Sequence, residues 1–443
     1  MHVAVIGAGP AGLFLGAALA LRGHTVTAVD RDPGPSADER WERRGVMQFH
    51  HAHAFRPTVA AALARELPDA LDRWLALGAE PVSADAAGPT LGHRSHRETF
   101  ERALRASACA TPGFELRRGH VDAVAVENGR ATGLVVDGAT YEADIVVDAS
   151  GRNGRATRRL GGRREVGGPC GQAYVDRIYR LRPGAEAGPM SNPMAWRAEC
   201  DGYLCLIFPH ERGAFSVVII RGADDHGLRG LRHPAAFEAA TRAIPGLDAW
   251  TDPERSEPVS DVLAGGALLD VYRSQTDEDG RLVLPGLFFV GDSVATTTPV
   301  FGRGITTTLW QCEALLSLLD HDDGDLAALG LAFDDWAGDE MLPWVEDHIH
   351  LDGARLRRWA GEDIHVDERL SSEAILAAAA VRPDIMECAG GYLSMAALPG
   401  SLRERAEGIA REAYAAGWRP AYDPGPSNAE LAAIVAEANV LSG

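Results

Sequence analysis

"HVAVIGAGPAGLFLGAALALRGHTVTAVD", residues 2–30, is apolar enough to pass for a signal peptide or a membrane anchor, and its reading decides the fold. A secretion signal needs a positive n-region, a featureless apolar centre and a small-residue cleavage site. None of these stands here. Instead a β-branched run at 3–6 meets Gly7, Gly9 and Gly12 in the pattern GAGPAG, residues 13–21 read as a buried helix, and a second strand over 25–29 ends on Asp30. Strand, glycine turn, helix, strand and acid in that order make a βαβ unit that grips a dinucleotide. Gly7 permits the tight turn, Gly9 lets the backbone approach a pyrophosphate, and Gly12 lets the helix lie close on the sheet. The helix N-terminus turns unpaired N–H groups toward the phosphates. Asp30 stands where a carboxylate accepts the hydroxyls of an adenosine ribose.

Outward from that unit, 443 residues exceed what one core usually serves, so two domains are expected. The formal net charge of −20 argues against a nucleic-acid partner, whose phosphates need clustered cations. All 43 basic residues are arginine, which excludes any mechanism that needs a lysine. The six cysteines, Cys109, Cys170, Cys200, Cys205, Cys312 and Cys388, show no metal-ligand spacing and read as reduced thiols. No other stretch approaches the roughly 20 apolar residues of a membrane span, so a cytoplasmic location is expected.

A flavin dinucleotide is longer than one βαβ unit can hold, so a distant segment should return to its ribityl chain and ring. Residues 282–319, "LVLPGLFFVGDSVATTTPVFGRGITTTLWQCEALLSLL", read as that segment. An apolar strand at 287–290 ends in Gly291 and Asp292, a glycine-punctuated loop follows over 299–304, and a long helix begins near Ile305. Asp292 can accept a ribityl hydroxyl, and the helix N-terminus favours negative charge at the pyrimidine end of a flavin.

These two segments, with "DIVVDASGRNGRATRRL" at 144–160, resemble the FAD-dependent aromatic-hydroxylase-type monooxygenases known as group A. "RRGVMQFHHAH" at 43–53 is similar to the "GVPQGxHxH" element of their bacterial epoxidase branch, and "HRETFERALRASA" at 96–108 to the family's arginine-bearing segment. The resemblance spans residues 1–320. It implies FAD contacts from Gly7, Gly9, Ala11, Gly12, Asp30, Arg31, Arg44, Gln48, Arg97, Gly291, Asp292, Pro299, Gly302, Gly304 and Ile305. Arg44 and Arg97 also have a direct physical case, since forked guanidinium donors suit a pyrophosphate.

The implied activity is a monooxygenase that uses O2 and a flavin C4a-hydroperoxide to epoxidise or hydroxylate a small apolar secondary metabolite or precursor. No catalytic side chain is named, because the cofactor carries the hard chemistry. Ser150-Gly151 stands where the hydroxylases usually carry Asp-Gly. That departure leaves open whether NADH or NADPH reduces the flavin directly or a separate flavin reductase delivers it. Halogenases share the scaffold but rely on a positioned lysine, which this chain lacks. A double-bond reductase of the geranylgeranyl-reductase type and a non-catalytic flavin-binding protein are the alternatives.

The fold expected is α/β: a Rossmann-like FAD-binding domain at 1–165 that resumes at 281–325, an inserted mainly antiparallel β-sheet substrate domain at 166–280, and a helical C-terminal region at 326–443. Alternation in "YLCLIFP" and "AFSVVIIRG" argues for a sheet with one covered face, roofing a pocket between the domains. His51, His53, Tyr174, Trp196, Tyr203, Phe208, Phe215 and Phe301 are the candidate pocket residues. No metal is expected: "FHHAH" and "DHIHLD" offer histidines without ligand spacing, and the acids at 320–325 lack the EF-hand pattern. The C-terminal helices should pack on the flavin domain, with a cap over the pocket or a homodimer contact both open to them.

Overall fold

The computed structural model describes every residue except 37–40, 44, 86–87, 153, 322–323 and 442–443. The opening stretch forms strand His2–Ile6, helix Pro10–Leu21 and strand Thr25–Asp30. The two strands run parallel, with Val3 beside Val26. The helix is buried from Pro10 to Ala20, so the apolarity that imitates an anchor serves an interior position. It packs against helices Arg97–Ala110 and Gly304–Asp320.

Five parallel strands follow the order Leu287–Phe289, Ile145–Asp148, His2–Ile6, Thr25–Asp30, Phe114–Arg118. The return segment therefore joins the sheet of the opening unit, with one strand between them. Their carboxyl ends share one edge, which is where open α/β sheets bind ligands.

Within 166–280, a second sheet runs antiparallel in the order Trp196–Cys200, Tyr203–Pro209, Ala214–Gly222, Gln172–Leu181, Ser256–Pro258. Its two faces are separate cores. Tyr203, Cys205 and Ile207 pack outward against Phe237 and Trp250, whereas Leu204, Leu206 and Phe208 pack inward with Tyr174 and Val300. A small sheet of Glu165–Pro169, Leu269–Arg273 and Ala295–Thr296 crosses both expected domain boundaries and ties the insertion to the return segment.

The helices after residue 326 divide among three places rather than one. Leu329 and Phe333 of Leu326–Glu340 enter the parallel-sheet core, while Trp344, Ile385, Tyr392 and Leu402 build a cluster of their own. The last helix, Asn428–Val440, sets Leu431 and Val435 against the outer face of the antiparallel sheet. That face is apolar and needs cover, which the elements packed on the inner face do not give. Among the described residues no helix is long and apolar enough to cross a membrane.

Candidate functional site

A cavity of about 710 Å3 opens at the carboxyl edge of the parallel sheet. The opening unit lines it with Gly7, Gly9, Ala11, Asp30 and Arg31, and the return segment with Gly291, Asp292, Pro299, Gly302, Gly304 and Ile305. Gln48, His53, Arg97 and Tyr174 complete the wall from between. Gly12 stands behind the wall: a Cβ there would lie 2.0 Å from the Gly7 carbonyl oxygen, so the helix could not approach the turn. Gly7 itself has φ +97°, in the left-handed region that a side chain disfavours. Arg44 lies outside the described residues, and the neighbouring Arg43 lines the cavity instead.

Buried charge organises the nucleotide side. Asp30 Oδ2 accepts the Ala8 N–H at 2.7 Å and an Arg43 N–H at 2.9 Å, and Oδ1 accepts the Asp32 N–H at 2.9 Å. Arg43 also pairs with Glu101, a wholly buried carboxylate that takes the Arg97 Nε–H at 2.5 Å. Glu101 thus holds two cavity-wall arginines in place, and neither is the solvated surface charge that a lone arginine usually is. Its one trace in the sequence is the i, i+4 spacing from Arg97 on a helix.

On the return side, Gln48 Nε2 donates to Asp292 at 3.4 Å. Burial pushes the Asp292 carboxyl above its ordinary range, and Arg97 and Arg152 draw it partly back. A Cβ added at Gly304 would meet nothing within 4 Å, and one at Gly9 only Arg43 Nη1 at 3.8 Å. Two backbone stretches therefore border open space with no side chain between, beside buried guanidinium donors. The open backbone at both stretches and the buried donors beside them suit an elongated anionic ligand such as a dinucleotide.

A family model described as lycopene cyclase protein matches residues 2–167. No curated protein matches the sequence. Among solved structures, the flavin-dependent brominase Bmp2 is 17% identical with a TM-score of 0.63, covering 94% of this chain and 99% of its own. The probable FAD-dependent monooxygenase pqsL of Pseudomonas aeruginosa is 17% identical with a TM-score of 0.57, covering 82% and 99%. The myxobacterial chondrochloren halogenase CndH, also 17% identical, gives 0.55 over 93% and 96%. The chain has the fold of the flavin-dependent monooxygenases and halogenases.

Within this flavoprotein fold the candidate pocket residues separate. Tyr174 and His53 line the cavity. His53 is held neutral, its pKa pushed down to about 3 by burial and then by Arg97. His51 does not line it; its Nδ1 meets Asp176 at 2.6 Å in a buried pair that ties residues 51–52 to the antiparallel sheet. Trp196, Tyr203 and Phe215 belong to the outer core, because the two-residue period turns them away from the cavity. Phe208 and Phe301 pack in the inner cluster without reaching the cavity wall.

The "DHIHLD" stretch falls on helix Leu342–Trp359 and anchors the loop over 298–303. Asp347 pairs with Arg303 at 3.0 Å, and Thr298 donates to Asp352 at 2.7 Å and meets His348 Nδ1 at 3.0 Å. Cys170, Asp270 and Asp352 do converge in the interior. Arg355 pairs with Asp352 at 2.8 Å, and burial pushes the Cys170 thiol up to about 12. Burial and the neighbouring Asp352 push Asp270 up to about 8, so this carboxyl pair retains a proton at neutral pH.

Proposed function

We propose that the protein is an FAD-dependent monooxygenase acting on a small, largely apolar molecule. The observation that supports this most is a single cavity bordered by both glycine segments at the edge of one parallel sheet. In this reading the backbone at Gly7 to Ala11, with Arg43 and Arg97, holds the pyrophosphate. Asp30 takes the ribose, Asp292 and Gln48 the ribityl chain, and the N-terminus of Gly304–Asp320 the pyrimidine edge. FAD, reduced by NADH or NADPH directly or through a separate reductase, supplies the oxygen chemistry.

The chain's own part is to orient and to exclude water. Ala52, Ala54, Tyr174 and Leu268 bring an apolar wall to the cavity from the substrate side, and Tyr174 turns its hydroxyl to Met47 Sδ at 3.8 Å rather than to solvent. Burial raises that phenol, so it stays protonated through the working range and does not act as a base.

Halogenation is the second reading, since a brominase and a halogenase match over nearly their whole lengths. The absence of lysine weighs against it. The test is a turnover under labelled O2 with bromide present. A product carrying label supports oxygen transfer, a brominated one the second reading, and one that gains only hydrogen overturns both.

A further inference from the structure

Helix Arg97–Ala110 brings Arg97 to the cavity wall at its first position, yet its N-cap, His96, makes no side-chain cap of its own. The first N–H groups of a helix have no partners within it, and the first turn frays unless something holds it. The holder comes from the other sheet. Glu211, in the turn between strands Tyr203–Pro209 and Ala214–Gly222, accepts the His96 N–H at 2.7 Å and meets His96 Nδ1 at 3.0 Å with Oε2, while its Oε1 accepts the Thr99 hydroxyl. One carboxylate thus grips residues on both sides of Arg97 from 115 positions along the chain.

Its neighbours aim this carboxylate. Arg212 has φ +58°, a left-handed conformation that a side chain disfavours, and is kept there by its N–H on Glu80 at 2.9 Å and its guanidinium on the Leu77 carbonyl at 2.8 Å. His210, held neutral by burial, donates Nδ1–H to the Ser95 carbonyl at 3.2 Å and accepts the Ser216 hydroxyl at 2.8 Å. Its ring stacks on His96 with centroids 4.3 Å apart. Burial opposes ionisation of Glu211, but the bonds from His96 and Thr99 outweigh it and hold the carboxyl down at about 2. A lasting negative charge therefore faces the N-terminus of the helix, where the dipole favours it. Backbone strain retained beside a buried, bonded carboxylate points to a positioning task.

We propose, on the flavin reading above, that Glu211 is a positioning residue for Arg97, so that the grip on the FAD pyrophosphate depends on the antiparallel sheet. Arg97 reaches the cavity with Nε on Glu101 at 2.5 Å and Nη1 on His53 at 3.4 Å, and both bonds depend on where its Cα stands. Releasing the first turn lets Arg97 withdraw without leaving Glu101 unpaired, since Glu101 keeps Arg43. Strand Tyr203–Pro209, which ends at this turn, also sets Leu204, Leu206 and Phe208 behind Tyr174. The wall facing the substrate and the arginine facing the cofactor are thereby tied to one strand.

The test is a double-mutant cycle on FAD affinity in the full chain, read from flavin fluorescence. Glu211→Gln keeps the size and one acceptor oxygen but loses the charge and the second acceptor, and should raise the FAD Kd about tenfold. Arg97→Met should raise it at least as much. Adding Glu211→Gln to Arg97→Met should then raise it by less than about twofold, because the arginine that Glu211 positions is gone. A carboxylate that only stabilises the fold would multiply the two losses instead. Thr99→Val, which removes only the hydroxyl on Oε1, takes the place of Glu211→Gln in the same cycle if that variant does not fold, with a rise of about threefold expected. Multiplied losses, or a wild-type Kd in the variant of Glu211 or Thr99, overturn the proposal while FAD still binds the wild-type chain. A wild-type chain that does not bind FAD overturns the flavin reading itself, and this proposal with it.

Discussion

The two glycine segments that meet at the cavity keep their shape by different means. The opening turn is held by its own backbone, with Gly7 at positive φ and Gly12 close enough to the Gly7 carbonyl to exclude any side chain. The return loop over 296–304 is held from outside, by Thr298 and Arg303 reaching Asp352 and Asp347 on a helix that begins some forty residues later. A cradle for phosphate can be built from local geometry, whereas a loop facing a ring needs distant polar anchors to stay rigid in an apolar setting.

The largest effect separating these means is expected from buried charge. Glu101→Ala leaves Arg43 and Arg97 without their shared partner, and urea denaturation should register a loss of about 3–5 kcal/mol together with weaker FAD binding. Next comes the backbone-held turn, where Gly12→Ala forces the helix off the strand and should cost about 1–3 kcal/mol, read in the same way. A wild-type value for either would show that the opening unit does not depend on that close approach.

A smaller effect distinguishes the two faces of the antiparallel sheet. Phe215→Leu in the outer core should cost about 1 kcal/mol and leave KM unchanged, while Tyr174→Phe at the cavity should alter KM with little change in stability. The reverse pattern would mean that the inner and outer faces have been exchanged.

A separate effect is a slope with pH. Asp270, raised to about 8 in the folded chain and near 4 when unfolded, binds its proton more tightly in the native state, so its contribution is full below pH 4 and is lost as pH rises toward 8. Asp270→Asn should flatten stability across that window. An unchanged slope would remove the proton from the account of how the return loop is anchored.

Legibility in the sequence follows the same division. GAGPAG, the following strand and the acid are local and could be read directly, as could the strand, Gly-Asp and helix of the return segment. The alternation in "YLCLIFP" announces two faces but not which one meets the cavity, since its paired strands are local neighbours and the inner face is set by distant residues such as Met47 and Val300. Hence alternation alone does not separate Trp196, Tyr203 and Phe215 from Tyr174. Glu101, Asp176 and the acids of "DHIHLD" reach Arg43, His51, Arg303 and Thr298 from more than forty residues away, and no spacing rule reports such contacts. The pairing of 271–272 with 295–296, which ties the expected insertion to the return segment, joins stretches too far apart for a local pattern to report.

The central claim, that both segments hold one flavin, is tested most directly by FAD affinity in two single variants. Gly9→Val and Gly304→Val each place a side chain where little or no protein atom stands, so both should fold and both should raise the FAD Kd at least tenfold, read from flavin fluorescence. Wild-type affinity in Gly304→Val, with loss confined to Gly9→Val, would contradict the account.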